Sequence, residues 1–167
     1  MNASELMTSH PKSCSPNDSL QRAAQIMWEA DCGVVPVVDD QNHVVGMITD
    51  RDITMAAYTQ GSALWQIPVS SAMAKQVHGV REKDSLEVIE ALMRRVRIRR
   101  VPVLDSEGRL KGILSMSDLA RHAHRTGRKG NGLSGDGIVQ TFAGICEPRT
   151  TGAKEPVTKG TPAQITA

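Results

Sequence analysis

The sequence matches itself when it is shifted by 66 residues, and this register holds without a gap from residue 7 to residue 57. Repetition of this kind indicates one supersecondary unit used twice, with each copy completing the core of the other. Both apolar and polar positions match: Met7 with Met73, Asp18-Ser19-Leu20 with Asp84-Ser85-Leu86, Val35-Pro36-Val37 with Val101-Pro102-Val103, Gly46 with Gly112, and Asp52 with Asp118. The sequence therefore predicts one repeat in residues 1–65 and a second in residues 66–125.

Each copy has the same local pattern. Apolar residues at helical spacing follow Ser19, and two short β-branched runs, 34–38 and 44–48, come after that helix. A final helix is predicted to begin near Thr49. The second copy repeats this order of helix, strand, strand and helix.

The two copies are expected to pack against each other. A single unit of about 50 residues leaves the apolar face of its small sheet in water, whereas burial contributes about 25 cal/mol per Å². The predicted fold class is therefore α/β of the α+β type: two repeats, each a small β-sheet with flanking helices, packed as a pseudo-twofold pair. The crevices between the copies are the expected ligand sites.

Residues 126–167 differ from the repeats. They are rich in Gly, Thr and Lys with little apolar periodicity, which is typical of a flexible tail. Ile138, Phe142 and Ile145 share one helical face, which predicts a short helix over 138–147. We expect a chain that ends at Arg125 to remain folded and dimeric.

Composition and charge limit the range of functions. Aromatic residues make up 2% of the chain, so stacking of single-stranded bases on aromatic platforms is largely excluded. Residues 91–167 carry 14 Lys and Arg against 6 Asp and Glu, which indicates an anionic partner, from a phosphate group to a nucleic acid. No apolar run is long enough to cross a bilayer, and the N-terminus has no pattern of a secretory signal.

Reactive side chains predict neither a metal site nor catalysis. Cys14, Cys32 and Cys146 are odd in number and form no CxxC pair, which favours a reducing cytoplasm over a disulfide framework or a zinc site. No nucleophile–base pair, paired-carboxylate motif or Walker-type loop is visible. We therefore expect a binding protein without enzyme activity, catalytic residues or a resident cofactor.

Two doubled motifs resemble the cystathionine-β-synthase (CBS) domain family in its tandem arrangement, the Bateman module. A Pro-Val dipeptide in a valine-rich strand occurs as GVVPVVD and as RRVPVLD. The ligand signature Gly-h-x-Thr/Ser-x-x-Asp occurs at Gly46–Asp52 and at Gly112–Asp118. The resemblance covers residues 7–123. It implies two clefts for an adenine nucleotide, namely AMP, ADP or ATP, with NAD(H) or S-adenosylmethionine as further candidates.

The resemblance also implies which residues line each cleft. In the family one repeat holds the ribose and phosphate, while residues just before the Pro-Val of the other repeat hold the base. One cleft would then combine Ser115, Ser117 and Asp118 with Cys32, Gly33 and Val34, and the other Thr49, Arg51 and Asp52 with Ile98, Arg99 and Arg100. Because only the second cleft has a basic dipeptide before its Pro-Val, we expect it to favour the more highly phosphorylated ligands.

The signature also has a purely structural interpretation. Thr49 and Ser115 can act as N-caps, and the aspartates three residues later can complement the helix dipole. Residue spacing alone does not decide between this role and ligand contact.

Three functions remain open at this stage. The leading hypothesis is a regulatory adenine-nucleotide sensor that acts on a partner protein. In this family two modules often pair through their helices, so we expect a homodimer through the helices around Ile53–Tyr58 and Leu119–Ala123. The alternatives are a nucleic-acid-binding protein that uses the Arg-rich second half, which the few aromatics disfavour, and a structural dimerisation module with empty clefts.

Overall fold

The structure is a computed structural model that describes residues 1–127 and 135–147. A short 3-10 helix at Val69–Ser71 joins the two halves of the chain. The other elements, in chain order, are α1 (Ala3–Leu6), β1 (Thr8–Ser9), α2 (Leu20–Glu29), β2 (Val34–Val38), β3 (Val44–Thr49), α3 (Asp50–Gln60), β4 (Val80–Arg81), α4 (Leu86–Val96), β5 (Arg100–Leu104), β6 (Leu110–Ser115), α5 (Met116–Gly127) and α6 (Gly135–Cys146).

Both repeats contain the same antiparallel hairpin, β2 with β3 and β5 with β6, and the register shifts at the same place in each. The carboxylate of Asp39 accepts hydrogen bonds from the backbone N–H groups of Gln41 and His43, at 3.0 and 2.8 Å. Asp105 does the same with Glu107 and Arg109, both at 2.9 Å. The N–H of Arg109 is the main reason that the pKa of Asp105 falls to about 2. The predicted fold class, with two equivalent units, is confirmed.

The opening segment of each half crosses to the other half. β1 pairs with β6, which gives a four-stranded sheet in the order β1-β6-β5-β4. The hairpin β2-β3 gains the equivalent bridge from the second half, between Met47 and Ala74. Each crossing packs closely on a glycine: a Cβ on Gly112 would overlap the side chain of Met7, and one on Gly46 would lie 2.6 Å from Met73 Sδ.

This exchange cuts across the linear division of the chain. Ala3 and Leu6 belong to the core of the second repeat, whereas Ile67 and Val69 belong to the core of the first. The boundary between residues 65 and 66 stays a prediction about the sequence. In the packing, each repeat is completed by a segment that precedes the other.

The two hairpin turns meet at the pseudo-twofold axis. His43 and Arg109, which are equivalent positions, form an antiparallel bridge with each other. Val44 N–H donates to Gly108 O at 3.3 Å, and Leu110 N–H donates to Asn42 O at 3.0 Å. The two sheets are therefore held in a symmetric arrangement, and equivalent residues face each other across the axis. Among the described helices, none has the length and apolar character needed to span a bilayer.

Helix α6 corrects the expectation of a dispensable tail. It packs against α4 and α5, with Thr141 and Ile145 buried and Glu147 paired with Arg97 at 3.1 Å. It lies where the sequence predicted a short helix over 138–147, but its buried face makes it part of the second core. The rest of the predicted flexible tail, 128–134 and 148–167, lies outside the described residues.

We expect Ile145→Ala to lower the free energy of unfolding by about 2 to 4 kcal/mol, because it removes a buried side chain from the contact of α6 with the core. The matched control is Val139→Ala on the same helix, where the side chain is exposed and the change should stay within about 0.5 kcal/mol. Urea unfolding of both variants measures the difference. Equal effects would contradict the packing of α6.

Candidate functional site

The two ligand signatures form two equivalent capping boxes. Thr49 Oγ1 accepts from the backbone N–H of Asp52 at 3.2 Å, and one carboxylate oxygen of Asp52, Oδ2, accepts from Thr49 N and Oγ1 at 2.9 and 2.7 Å. Ser115 and Asp118 repeat this geometry at 3.3, 2.8 and 2.6 Å. These bonds place a hydroxyl and a carboxylate at the start of α3 and of α5 because the chain turns there from strand to helix.

The capping bonds leave the second carboxylate oxygen for another partner. Asp52 Oδ1 accepts no hydrogen bond within the described part of the chain. Asp118 Oδ1 pairs with Arg121, whose side chain is 67% exposed. The pair joins an exposed cation to a carboxylate that is only 12% exposed, and a ligand hydroxyl can take the place of Arg121 as the partner of Oδ1. The structural interpretation of the signature holds, and it is compatible with ligand contact.

The larger of the two clefts between the repeats, which we name the Asp118 cleft, has a volume of about 510 Å³. This volume falls within the range of small-molecule sites. Its walls come from both halves of the chain and from the segment that follows β1. The lining residues are Thr8, His10, Pro11, Lys12, Ala30, Asp31, Cys32, Val34, Pro36, Arg100, Ile113, Ser115, Ser117, Asp118 and Arg121.

The second cleft, which we name the Asp52 cleft, has a volume of about 220 Å³. It occupies the equivalent place on the other side of the pseudo-twofold axis, and the segment around Ala74 replaces the one around Thr8. The lining residues are Val34, Met47, Thr49, Asp52, Ala74, Gln76, His78, Ile98, Arg99, Arg100 and Pro102.

Most of the residues predicted from the sequence lie in the expected cleft. The Asp118 cleft gathers Cys32, Val34, Ser115, Ser117 and Asp118. The Asp52 cleft gathers Thr49, Asp52, Ile98, Arg99 and Arg100. Whether these residues bind a ligand stays a prediction.

Two predicted residues line neither cleft. Gly33 lies beside Asp50, where an added Cβ would come within 2.9 Å of Asp50 Oδ2. It lines a more open cavity of about 550 Å³, which lies beside the exposed Trp28 and shares Asp31, Cys32 and Arg100 with the Asp118 cleft. Arg51 is an exposed residue in the first turn of α3, and its backbone N–H donates to Asp50 Oδ1 at 2.7 Å.

Sequence reasoning missed the rim that the crossing segments supply. Thr8, His10 and Lys12 line the Asp118 cleft, and their equivalents Ala74, Gln76 and His78 line the Asp52 cleft. In the sequence, the match of Met7 with Met73 indicates that the residues after each methionine belong to the repeat. The match does not indicate which half of the chain these residues pack against.

The sequence assigned Arg100 to the Asp52 cleft only, and the structure places it in the lining of both clefts. Lys12 and Arg121 add two further cations to the Asp118 cleft. The physical reason is that Arg100 begins β5 directly opposite Ser115 on β6, which places it beside both helix starts. Charge therefore does not single out the Asp52 cleft for phosphorylated ligands.

A family model, that of the CBS domain, matches residues 3–58 and 69–125 of the chain. The chain belongs to the CBS domain family. The two matches correspond to the two repeats, so the chain is a CBS domain pair. Within the described residues, no group of three or more His, Cys, Asp or Glu side chains is placed to hold a metal ion.

Similar proteins span nearly the whole pair. An uncharacterized 17.7 kDa protein of Acidianus ambivalens is 36% identical over 147 residues, which cover 85% of this chain and 88% of the relative. The CBS domain pair of protein MJ0100, solved in complex with 5′-methylthioadenosine and S-adenosyl-L-methionine, is 25% identical with a TM-score of 0.68, over 77% of this chain and 98% of that chain. The structure of CBSX2 in complex with AMP is 26% identical with a TM-score of 0.67, over 76% of this chain and 98% of that chain.

Proposed function

We propose that this CBS domain pair is a regulatory module that binds an adenine nucleotide in the Asp118 cleft and thereby acts on a partner protein. The observation that carries the proposal is the presence of a capping carboxylate, Asp118, in one cleft with the cations Lys12 and Arg100. Carboxylates accept hydrogen bonds from vicinal ribose hydroxyls, and guanidinium and ammonium groups bind phosphate.

Each part of the nucleotide has a matching part of the cleft. The ribose hydroxyls bind Asp118, and the phosphate lies between the start of α5 and the cations of the rim, with Ser115 and Ser117 as hydroxyl partners. The adenine ring lies between the apolar side chains of Val34 and Ile113. The cleft is large enough for the whole ligand.

The charge of the rim favours a phosphorylated ligand over S-adenosylmethionine. S-adenosylmethionine has no phosphate and carries a cationic sulfonium, which Lys12 and Arg100 disfavour. The structural neighbours MJ0100 and CBSX2 support adenine-containing ligands in general, and CBSX2 supports AMP in particular. We therefore propose AMP, ADP or ATP as the ligand class, with AMP as the first probe.

The cleft is lined by separate parts of the chain, so a ligand that binds there can change how these parts are arranged. Cys32 and Val34 come from the first repeat, Ser115 and Asp118 from the second, and Lys12 from the crossing segment. A ligand that contacts all three stabilises the arrangement in which they lie together, because it binds that arrangement better than any other. The ligand thus changes the surface that the module offers to its partner.

The change to test first is Lys12→Ala, with Lys83→Ala as its control. AMP at 100 times its dissociation constant should stabilise the wild-type chain by about 2.7 kcal/mol in thermal unfolding. Lys12→Ala should weaken AMP about three- to tenfold and leave adenosine nearly unchanged, because an exposed charge pair contributes about 1 kcal/mol. Lys83, which is exposed and outside both clefts, should have no effect.

Titration calorimetry with AMP and adenosine measures both constants for the wild-type chain and for each variant. If no adenine nucleotide binds at millimolar concentration, the proposed function is wrong. If Lys12→Ala weakens adenosine as much as AMP, the ligand lies in the cleft in another orientation.

We further propose a homodimer, through a surface that differs in part from the one expected from the sequence. Leu119 and Ala123 are buried within the chain, because α5 is covered by α6. The equivalent surface of the first repeat, the outer face of α2 and α3, carries Trp28 at 89% exposure and Tyr58 at 80%. Exposed aromatic residues of this size are typical of interface hot spots. The second copy therefore packs on α2 and α3.

Trp28→Glu combined with Tyr58→Glu should convert the dimer to a monomer, because two charges replace the apolar centre of the contact on each copy. Sedimentation equilibrium measures the mass. The control is Val139→Glu, which places a charge on an exposed position of α6 and should leave the dimer intact. A wild-type monomer, or dissociation by the α6 variant alone, would contradict the proposed contact.

A further inference from the structure

One cation, Arg100, lines both clefts. Val34 and Arg100 are equivalent positions in the repeat, and each of them lines both clefts. One of the two is a buried valine, and the other is an exposed arginine whose side chain makes no hydrogen bond or ion pair within the described residues. The two equivalent positions, Val34 and Arg100, therefore provide one guanidinium group to be shared by two clefts.

The Asp52 cleft has the groups for a ligand smaller than a nucleotide. Its volume of about 220 Å³ is less than half that of the Asp118 cleft and lies below the usual range for drug-sized ligands. Asp52 Oδ1 is without a partner in the described part of the chain and can accept hydroxyl groups. Arg99 and Arg100 can bind an anion beside it. Vicinal hydroxyls with one phosphate match these polar groups, and the small volume favours a ligand without a base.

We propose that the Asp52 cleft binds a sugar phosphate and that this ligand and the nucleotide in the Asp118 cleft compete for Arg100. The inference rests on the proposed function of the Asp118 cleft and adds a second ligand class and a coupling between the two sites. The planar guanidinium pairs with one phosphate in a bidentate manner, so the second phosphate to arrive binds without that pair. Each ligand therefore weakens the other by the same factor.

Ribose 5-phosphate is the probe for the Asp52 cleft. Calorimetric titration of AMP into the full chain at rising concentrations of ribose 5-phosphate should show AMP binding that weakens and then reaches a plateau about tenfold below its starting affinity. A plateau is the mark of two sites that are coupled. Two ligands that share one site instead give a loss of affinity that grows without limit.

Two variants separate coupling through Arg100 from the alternatives. Arg99 lines the Asp52 cleft but not the Asp118 cleft, so Arg99→Ala should weaken ribose 5-phosphate at least fivefold and leave the affinity for AMP alone unchanged. Arg100→Met keeps most of the side-chain length without the charge. It should weaken both ligands and reduce the coupling from about tenfold to less than twofold.

Several results would overturn the inference. The first is a loss of AMP affinity that grows without limit as ribose 5-phosphate rises and that is unchanged in Arg99→Ala. This result would place both ligands in one cleft. The second is coupling that persists in Arg100→Met, which would assign it to repulsion between the phosphates. The third is an absence of any effect of ribose 5-phosphate on AMP.

Failure of the proposed function gives a different pattern. If AMP alone gives no signal, the nucleotide site is wrong and the coupling is overturned with it. A thermal shift by ribose 5-phosphate that is lost in Arg99→Ala would then still assign a sugar-phosphate site to the Asp52 cleft. If AMP binds and ribose 5-phosphate does not, the proposed function stands and only the further inference fails.

Discussion

The backbone of β6 leaves no room for a side chain at residue 112, because Met7 occupies that space, and the same relation joins Met73 to Gly46. These close approaches allow the opening segment of each half to pair with the far hairpin. Both clefts depend on this exchange, since the crossing segment carries one rim of each cleft into position. Each cleft is therefore lined by residues of both halves and exists only while the two repeats are packed together.

The exchange preserves the backbone symmetry while the side chains around it differ. Both helix starts have the same hydroxyl–carboxylate capping box, with distances that agree within 0.2 Å. The rims differ, with Lys12 on one side and His78 on the other, and the axis positions differ, with Val34 opposite Arg100. Helix α6 adds a further difference, because it covers the outer face of one repeat only. Duplication of one unit thus provides two clefts of unequal size, and one arginine, Arg100, that lines both.

The sequence predicted the fold class, the paired strands of each repeat and the N-caps because each has a local cause: strand periodicity, and hydroxyls three residues before an aspartate. It could not predict the crossing of β1, a two-residue strand whose partner Ile113 is about a hundred residues away. For the same reason it missed Lys12, and it assigned Arg100 to one cleft only. The apolar face of α6 predicted a helix, but the surface on which Ile145 packs is a property of the folded second repeat.

A crystal structure of the full chain with AMP would show directly whether one nucleotide binds across the two repeats at the start of α5. We expect ribose hydroxyls within 2.5 to 3.0 Å of Asp118 as O–H···O⁻ hydrogen bonds, the phosphate beside Arg100 and Lys12, and Arg121 displaced from its pair with Asp118. AMP found in the open cavity beside Trp28, or with its phosphate turned away from Arg100, would contradict this expectation.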